Sequence, residues 1–274
     1  MNIHIVFKGS LRGTWPLFKN NYMSMIHEPL LEQGHKIKVS AHLWEEENNK
    51  DFAKEFSAIE VIEYPLHWRE KNPYTTLKGM LDDVIDYCSV NSEDSDYYII
   101  LRPDLLYKSP INLHLDWNKE FEILLPHREY EIHWITHRRV GDSFYVVKSD
   151  SDVFKKISAA LNNYKLIKES AELYQTDEDY VKEHLTHHWY DSLINQQLKV
   201  DFLLNGCYDS NTFHIRTSHL GRSIRSTNKN PFFITADKNI HVNGIFYPHD
   251  DVDIDGLLRG EKKLNYEDIE TIYR

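Results

Sequence analysis

The five residues Tyr97–Leu101 constrain this chain more than any other stretch: YYIIL is apolar on both alternating faces, so as a strand it must be covered on both sides. Such a strand sits inside a sheet with helices above and below, the layering of an α/β protein. The preceding segment supplies a matching helix. Leu77, Met80, Leu81, Val84, Ile85 and Cys88 fall at i, i+3, i+4, i+7, i+8 and i+11, one apolar stripe with Asp82, Asp83 and Asp86 facing away.

The N-terminus has the same grammar. Ile3 to Phe7 has strand character and runs into Lys8-Gly9-Ser10-Leu11-Arg12-Gly13, a glycine-bracketed turn of the kind that leaves the first strand of an α/β sheet. Thr14 can cap the next helix and Pro16 suits its first turn. Leu17, Phe18, Tyr22, Met25, Ile26 and Leu30 then recur at helical spacing until Gly34 stops it, with Pro29 expected to kink the last turn. Further strands are predicted at Lys36 to Leu43, Ile59 to Leu66, Phe121 to Leu125 and Ser143 to Lys148. Helices are predicted from Val153 to Leu161 and around Asp179 to Leu198, and the acidic Glu45 to Asp51 reads as a loop or short helix. With no internal repeat and no Pro/Gly/Ser linker, a single domain over residues 1–274, with a nucleotide-type first half to about residue 110, is the simplest division.

Composition removes several classes. Asp plus Glu number 43 against 32 Lys plus Arg, a net charge of −11, which argues against coating nucleic acid or an anionic lipid surface. Cys88 and Cys207 are the only cysteines, too few and too far apart for a disulfide scaffold or a thiolate zinc site, so a reducing, cytoplasmic setting is expected. No run approaches about 18 apolar residues, so membrane contact would be peripheral. No G-x-S-x-G, Walker loop or G-x-G-x-x-G occurs.

Ligands of open α/β sheets bind beyond the carboxyl ends of the strands, and two segments end there with suitable side chains. In Gly9 to Trp15, glycine lets backbone approach a ligand, Arg12 can pair with a phosphate in bidentate fashion, and Trp15 can stack on a base. An ordinary turn with a solvated arginine reads equally well. In Arg102-Pro103-Asp104 the proline stiffens the exit, and Arg102 and Asp104, two apart, share a side while the chain stays extended. Asp104 is a hard oxygen ligand suited to Mg2+ or Mn2+ with a substrate diphosphate, whereas a mutual ion pair closing a loop is the plainer alternative. Literal D-x-D matches are less persuasive. Asp94 and Asp96 precede the buried strand, Asp150 and Asp152 sit where a helix N-cap is needed, and Asp251 to Asp255 lacks the features of an EF-hand loop. His184 and His188 lie at i, i+4, but Leu185 stands where a metalloprotease has Glu, so helix packing around Trp189 is the better explanation.

Lys8-Gly9-Ser10-Leu11-Arg12-Gly13-Thr14-Trp15 resembles the opening of a diverse group of bacterial and viral glycosyltransferase-like proteins. Tyr97 to Tyr107, YYIILRPDLLY, resembles their R-P-D-L strand exit, and His42-Leu43-Trp44 ends the second strand in a similar way. The resemblance covers about the first 110 residues well and Gly141 to Phe144 weakly. It implies a GT-A-like fold, a Rossmann-like mixed central sheet flanked by helices, with residues 111–274 on the acceptor side. It also implies a nucleotide-sugar donor, a glycan or glycoconjugate acceptor and a place in polysaccharide biosynthesis. Where GT-A enzymes carry the metal-binding D-x-D, this chain has R-P-D. Asp104 alone would therefore hold Mg2+ or Mn2+, and either Arg102 meets phosphate directly or metal dependence is weak. In this reading Gly9, Arg12, Trp15, Arg102 and Asp104 bind the donor. Asp142 would accept the attacking hydroxyl's proton in an inverting displacement, although a basic-acidic surface loop reads as well. Two other functions are open: a noncatalytic nucleotide- or glycan-binding protein of the same fold, and a fucosyltransferase using His137 to Asp142, a near miss to H-x-R-R-x-D.

Overall fold

The computed structural model describes residues 1–11, 15–45, 49–65, 73–103, 105–107, 109–129, 134, 138–173, 185–208, 233–235, 241–242 and 245–246. They belong to two compact units. The first comprises Met1–Ser10, His35–Arg102 and Trp117–Cys207; the second comprises Leu11–Gly34, Pro103–Asp116 and the chain from Tyr208.

The first unit is built on a seven-stranded sheet of β1 (Asn2–Gly9), β2 (Lys36–Trp44), β3 (Glu60–Tyr64), β4 (Tyr97–Leu101), β6 (Ile123–Leu125), β8 (Phe144–Lys148) and β9 (Val200–Phe202). Their order is β3-β2-β1-β4-β8-β6-β9. All run parallel except β8, which is antiparallel to both β4 and β6. The carboxyl ends of β1, β4, β6 and β9 and the start of β8 therefore share one edge. The expected fold class, α/β with a mixed central sheet flanked by helices, is the one observed.

Alternation along the strands sorts residues onto two faces. Val6, Tyr98, Ile100, Tyr145 and Val147 meet Leu81, Val84, Ile85 and Cys88 of α4 (Pro73–Val90) and Val153, Phe154, Ile157 and Leu161 of α5 (Ser151–Asn162). Each fully buried Leu, Ile, Val or Phe stabilises by about 1.5–3 kcal/mol before entropy is counted. On the other face Phe7 packs against Phe52 and Phe56, ring centroids 5.1 and 5.4 Å away; Phe52 belongs to α3 (Asn49–Glu55) and Phe56 follows it. The α4 face also carries polar residues. His4 bonds Ser40 Oγ at 2.9 Å and stacks on Tyr98, while His42 Nδ1 lies 2.8 Å from Tyr64 Oη. Both imidazoles meet the edge of Tyr87 and are buried.

In the second unit, α1 (Trp15–Tyr22) leads through a π-helical turn, Met23–His27, into α2 (Glu28–Glu32). The kink expected near Pro29 takes this form: Pro29 has no N–H to donate to Met25, and the Glu28 N–H reaches back five residues to the Met23 carbonyl. Asn21 clamps α1 to β5 (Leu105–Tyr107), donating to the Tyr107 carbonyl at 2.8 Å and accepting from its N–H at 2.6 Å. β5 pairs antiparallel with Phe233–Thr235.

The helix expected over Asp179 to Leu198 is not continuous in its described part. A 3-10 turn, Leu185–His187, is followed by α7 (Tyr190–Asn195), and Trp189 at the junction is 1% exposed with φ −89° and ψ −1°. Burying Leu185, His187, His188 and Trp189 together needs more inward directions than one helical stripe offers. Between these elements and α5 lies α6 (Tyr164–Glu172). Among the described residues no helix is long and apolar enough to cross a membrane.

Candidate functional site

At the shared edge of the sheet the strand ends deliver charge. Phe7 of β1 is in register with Leu101 of β4, so the next residues, Lys8 and Arg102, stand side by side. Leu101 also pairs with Phe144 of the antiparallel β8, which brings Ser143 and then Asp142 to the same place from the opposite direction. Lys8 is buried, its Nζ 5.6 Å from the Tyr145 ring centre. Arg102 Nη1 lies 4.0 Å from Asp142 Oδ1, each side chain 24% exposed.

Asp142 is caged from its other side. Thr186 Oγ1 donates to Oδ2 at 3.1 Å, and His187 Nε2 stands 3.6 Å from the same oxygen. The Nδ1 of His187 faces two acceptors, Glu129 Oε1 at 2.8 Å and the Val140 carbonyl at 3.0 Å, so this nitrogen carries a proton. Glu129 is fully buried and ion-paired with Arg139, whose Nε lies 2.9 Å from Oε2. Backbone ties lock the frame: Glu129 N to Arg139 O, Val140 N to His187 O and Gly141 N to His127 O. Gly141 is required by close approach, since a Cβ there would lie 2.7 Å from His127 Cε1 and 2.8 Å from Pro126 Cγ.

Burial would raise the proton affinity of both carboxylates, but their cations outweigh it. His187, Arg102 and Lys8, with the Thr186 hydrogen bond, hold Asp142 well below the usual carboxylate range, and His187 and Arg139 do the same for Glu129. Burial likewise opposes charge on His187, yet Glu129 and Asp142 raise its pKa. For His127 burial outweighs the pull of Glu129 and Asp142 and, with the nearby His187, lowers it from 6.5 to about 4. The edge is thus a fixed anion between cations, with one neutral imidazole beneath. Tyr145 Oη is buried there too, with no hydrogen-bond partner among the described residues.

Of the residues singled out from sequence, Gly9, Arg102 and Asp142 lie in this unit and the last two meet. Gly9 ends β1 at φ 127°, a conformation that L side chains rarely adopt. Arg12 and Asp104 lie outside the described residues; Trp15 opens α1, and its side chain is not described. The literal D-x-D aspartates behave as local structure: Asp150 caps α5 by accepting from Asp152 N, and Asp96 accepts from Asn2 N at the opposite sheet edge. Arg139 is committed to Glu129, and Arg138 to Asp191 at 3.3 Å. His137, His184 and Asp251 to Asp255 lie outside the described residues.

Sequence reasoning missed Lys8, Glu129, Thr186 and His187. Lys8 had a signal, a lysine on the same strand face as His4 and Val6. Glu129 and His187 are 58 residues apart with no local pattern to join them.

Asp104, the one expected metal ligand, lies outside the described residues. Among the described residues no three His, Cys, Asp or Glu side chains gather into a metal-holding group, and the carboxylate at the edge is ringed by Lys8, Arg102 and His187. That arrangement suits a phosphate-bearing ligand, for which the cations are already in place.

No protein-family model matches the chain, and no curated protein matches it in sequence. Among solved structures it is similar to mouse xyloside xylosyltransferase 1 in its apo form, at 12% identity and TM-score 0.39 over 70% of this chain and 84% of that one. It is also similar to the galactosyltransferase LgtC in complex with donor and acceptor sugar analogs, at 10% identity and TM-score 0.40 over 74% and 73%.

Proposed function

We propose that this chain is a GT-A-type glycosyltransferase that moves a sugar from a nucleotide-diphosphate donor to a hydroxyl of a glycan or glycoconjugate. The observation that carries the proposal is the meeting, at the carboxyl edge of the sheet, of two strand-end cations, Lys8 and Arg102, with the caged carboxylate Asp142.

Transfer breaks the bond between the anomeric carbon and the diphosphate oxygen, and the electron pair leaves with the nucleoside diphosphate. Charge developing there is stabilised by cations already positioned for it, the role of Arg102 and Lys8. The acceptor oxygen bonds to the anomeric carbon and turns positive before it sheds its proton. At that late stage a carboxylate as weakly basic as Asp142 can take the proton, and before it Asp142 orients the hydroxyl by accepting its hydrogen bond. Gly9, Arg12 and Trp15 complete the donor side in this reading. Asp104, two residues beyond Arg102 in the chain, is the one proposed ligand for Mg2+ or Mn2+, and no step depends on it.

The test is nucleoside diphosphate release from a panel of nucleotide sugars, with and without acceptors and Mn2+, for wild type, Arg102→Met, Asp104→Asn and Asp142→Asn. One donor is turned over, and Arg102→Met lowers kcat by roughly 10²–10³-fold. Donor binding without turnover under every condition supports the noncatalytic binder instead. Activity indifferent to Arg102 and Asp104 but abolished in Arg138→Ala supports the fucosyltransferase.

A further inference from the structure

β7 (Arg128–Glu129) turns its two side chains in opposite directions. Glu129 faces the Asp142 network, while Arg128 enters an aromatic corner. Its guanidinium carbon is 5.0 Å from the Trp134 ring centre and 4.6 Å from that of Phe202 at the end of β9. Trp134 and Phe202 stand edge to face at 5.3 Å, and Tyr190 at the start of α7 extends the platform, stacked on Phe202 and edge to face with Trp134 at 4.9 Å. Trp134, Tyr190 and Arg128 are each partly exposed, so the corner opens outward.

This guanidinium lacks what a structural arginine has. Its Nε is buried with no hydrogen-bond partner, and no carboxylate among the described residues pairs with it. The acids around it are engaged elsewhere: Glu129 by Arg139 and His187, Asp191 by Arg138 and Ser170, Asp201 by Lys119. An arginine packed against aromatic rings, with its Nε unspent, is arranged to accept a carboxylate or phosphate. The partly exposed rings beside it suit the apolar face of a sugar.

We propose that Arg128, Trp134 and Tyr190 form a subsite for an anionic sugar, one that bears a carboxylate or phosphate group. Arg128 takes the anion and Trp134 with Tyr190 the ring. As part of an acceptor chain this sugar sits across β7 from Asp142, beside the reacting position; that role rests on the transferase reading, whereas the subsite itself does not.

Glucuronate, glucose 6-phosphate and glucose are titrated into the full-length protein, and the Trp134 indole N–H resonance, assigned by its loss in Trp134→Phe, is followed by NMR. At least one of the two anionic sugars moves that resonance saturably and glucose does not. Which one moves it distinguishes carboxylate from phosphate. Arg128→Gln weakens that binding about tenfold or more, and Arg128→Lys, which keeps the charge and the stem, falls between the two. Equal response to glucose, no response to any of the three, or unchanged affinity in Arg128→Gln overturns the subsite. If Arg128→Gln does not fold, Arg128→Lys decides alone: unchanged affinity overturns it. Stabilisation of the same wild-type sample by nucleotide sugars is read separately, so a failed donor site and a failed Arg128 subsite are told apart.

Discussion

Acidification from pH 7 to 4 is expected to unfold this protein through three buried imidazoles. His4 and His42 lie on the α4 face of the sheet and His127 lies beneath Gly141, and burial lowers each from 6.5 to about 4. The unfolded chain takes up these protons near pH 6.5 and the folded one only near 4, so stability is lost throughout that window as pH falls. Each group contributes about 3 kcal/mol at 1.36 kcal/mol per unit, and the three together on the order of 10 kcal/mol, comparable to the whole stability of a domain. The other coupled groups do not cancel this loss. His187 has a raised pKa, so its contribution is fully present below 6.5 and lost only as pH rises through its folded value. Asp142 and Glu129 have lowered pKa values, so theirs is lost below the ordinary carboxylate range of about 4. Urea unfolding followed by circular dichroism at several pH values reads the effect. His4→Gln and His42→Gln each remove about 3 kcal/mol of the dependence between pH 6.5 and 4, to which the lowered His27, His35 and His114 also contribute, while leaving a neutral polar side chain for Ser40 or Tyr64. A wild-type midpoint that is flat from pH 7 to 5, or an equal slope in the double variant, would show that these imidazoles do not govern acid unfolding.

Three further perturbations follow from single contacts. Arg139→Ala strips the buried Glu129 of its guanidinium and is expected to cost about 3–5 kcal/mol in urea unfolding; Glu129→Gln in the same background should recover part of it. Gly141→Ala forces a Cβ against His127 and Pro126, which should cost about 1–3 kcal/mol and shift the His127 and Asp142 resonances. Asp150→Ala removes the α5 N-cap and should lower stability by about 1 kcal/mol without affecting any ligand binding at the sheet edge.

The fold class was legible because the signals that announce it are local. Tyr97–Leu101 is the strand predicted from its two apolar faces, and Leu81, Val84, Ile85 and Cys88 of the predicted stripe lie on α4 and cover that strand. The edge of the sheet was legible in part: a residue that follows a strand is found by finding the strand, which is how Arg102 came forward, whereas Asp142, just before β8, came forward from the charged segment His137 to Asp142. The rest of the site depends on distance in the chain. Glu129 reads as one acid in a charged loop, and nothing near it announces that Arg139 and His187 close on it. Leu185 to Trp189 misled for the opposite reason, since apolar and histidine side chains at helical spacing are buried there from several directions around a 3-10 turn.

The proposed transfer requires the edge formed by Lys8, Arg102 and Asp142 to hold a nucleoside diphosphate sugar. Isothermal titration of UDP-, GDP- and ADP-linked sugars into wild type and Arg102→Met tests it most directly. One nucleoside diphosphate sugar is expected to bind the wild type, with Arg102→Met weakening it by about tenfold to a hundredfold, the value of a charge-assisted contact to phosphate. Binding of no nucleotide sugar, or equal affinity in the two proteins, would contradict it.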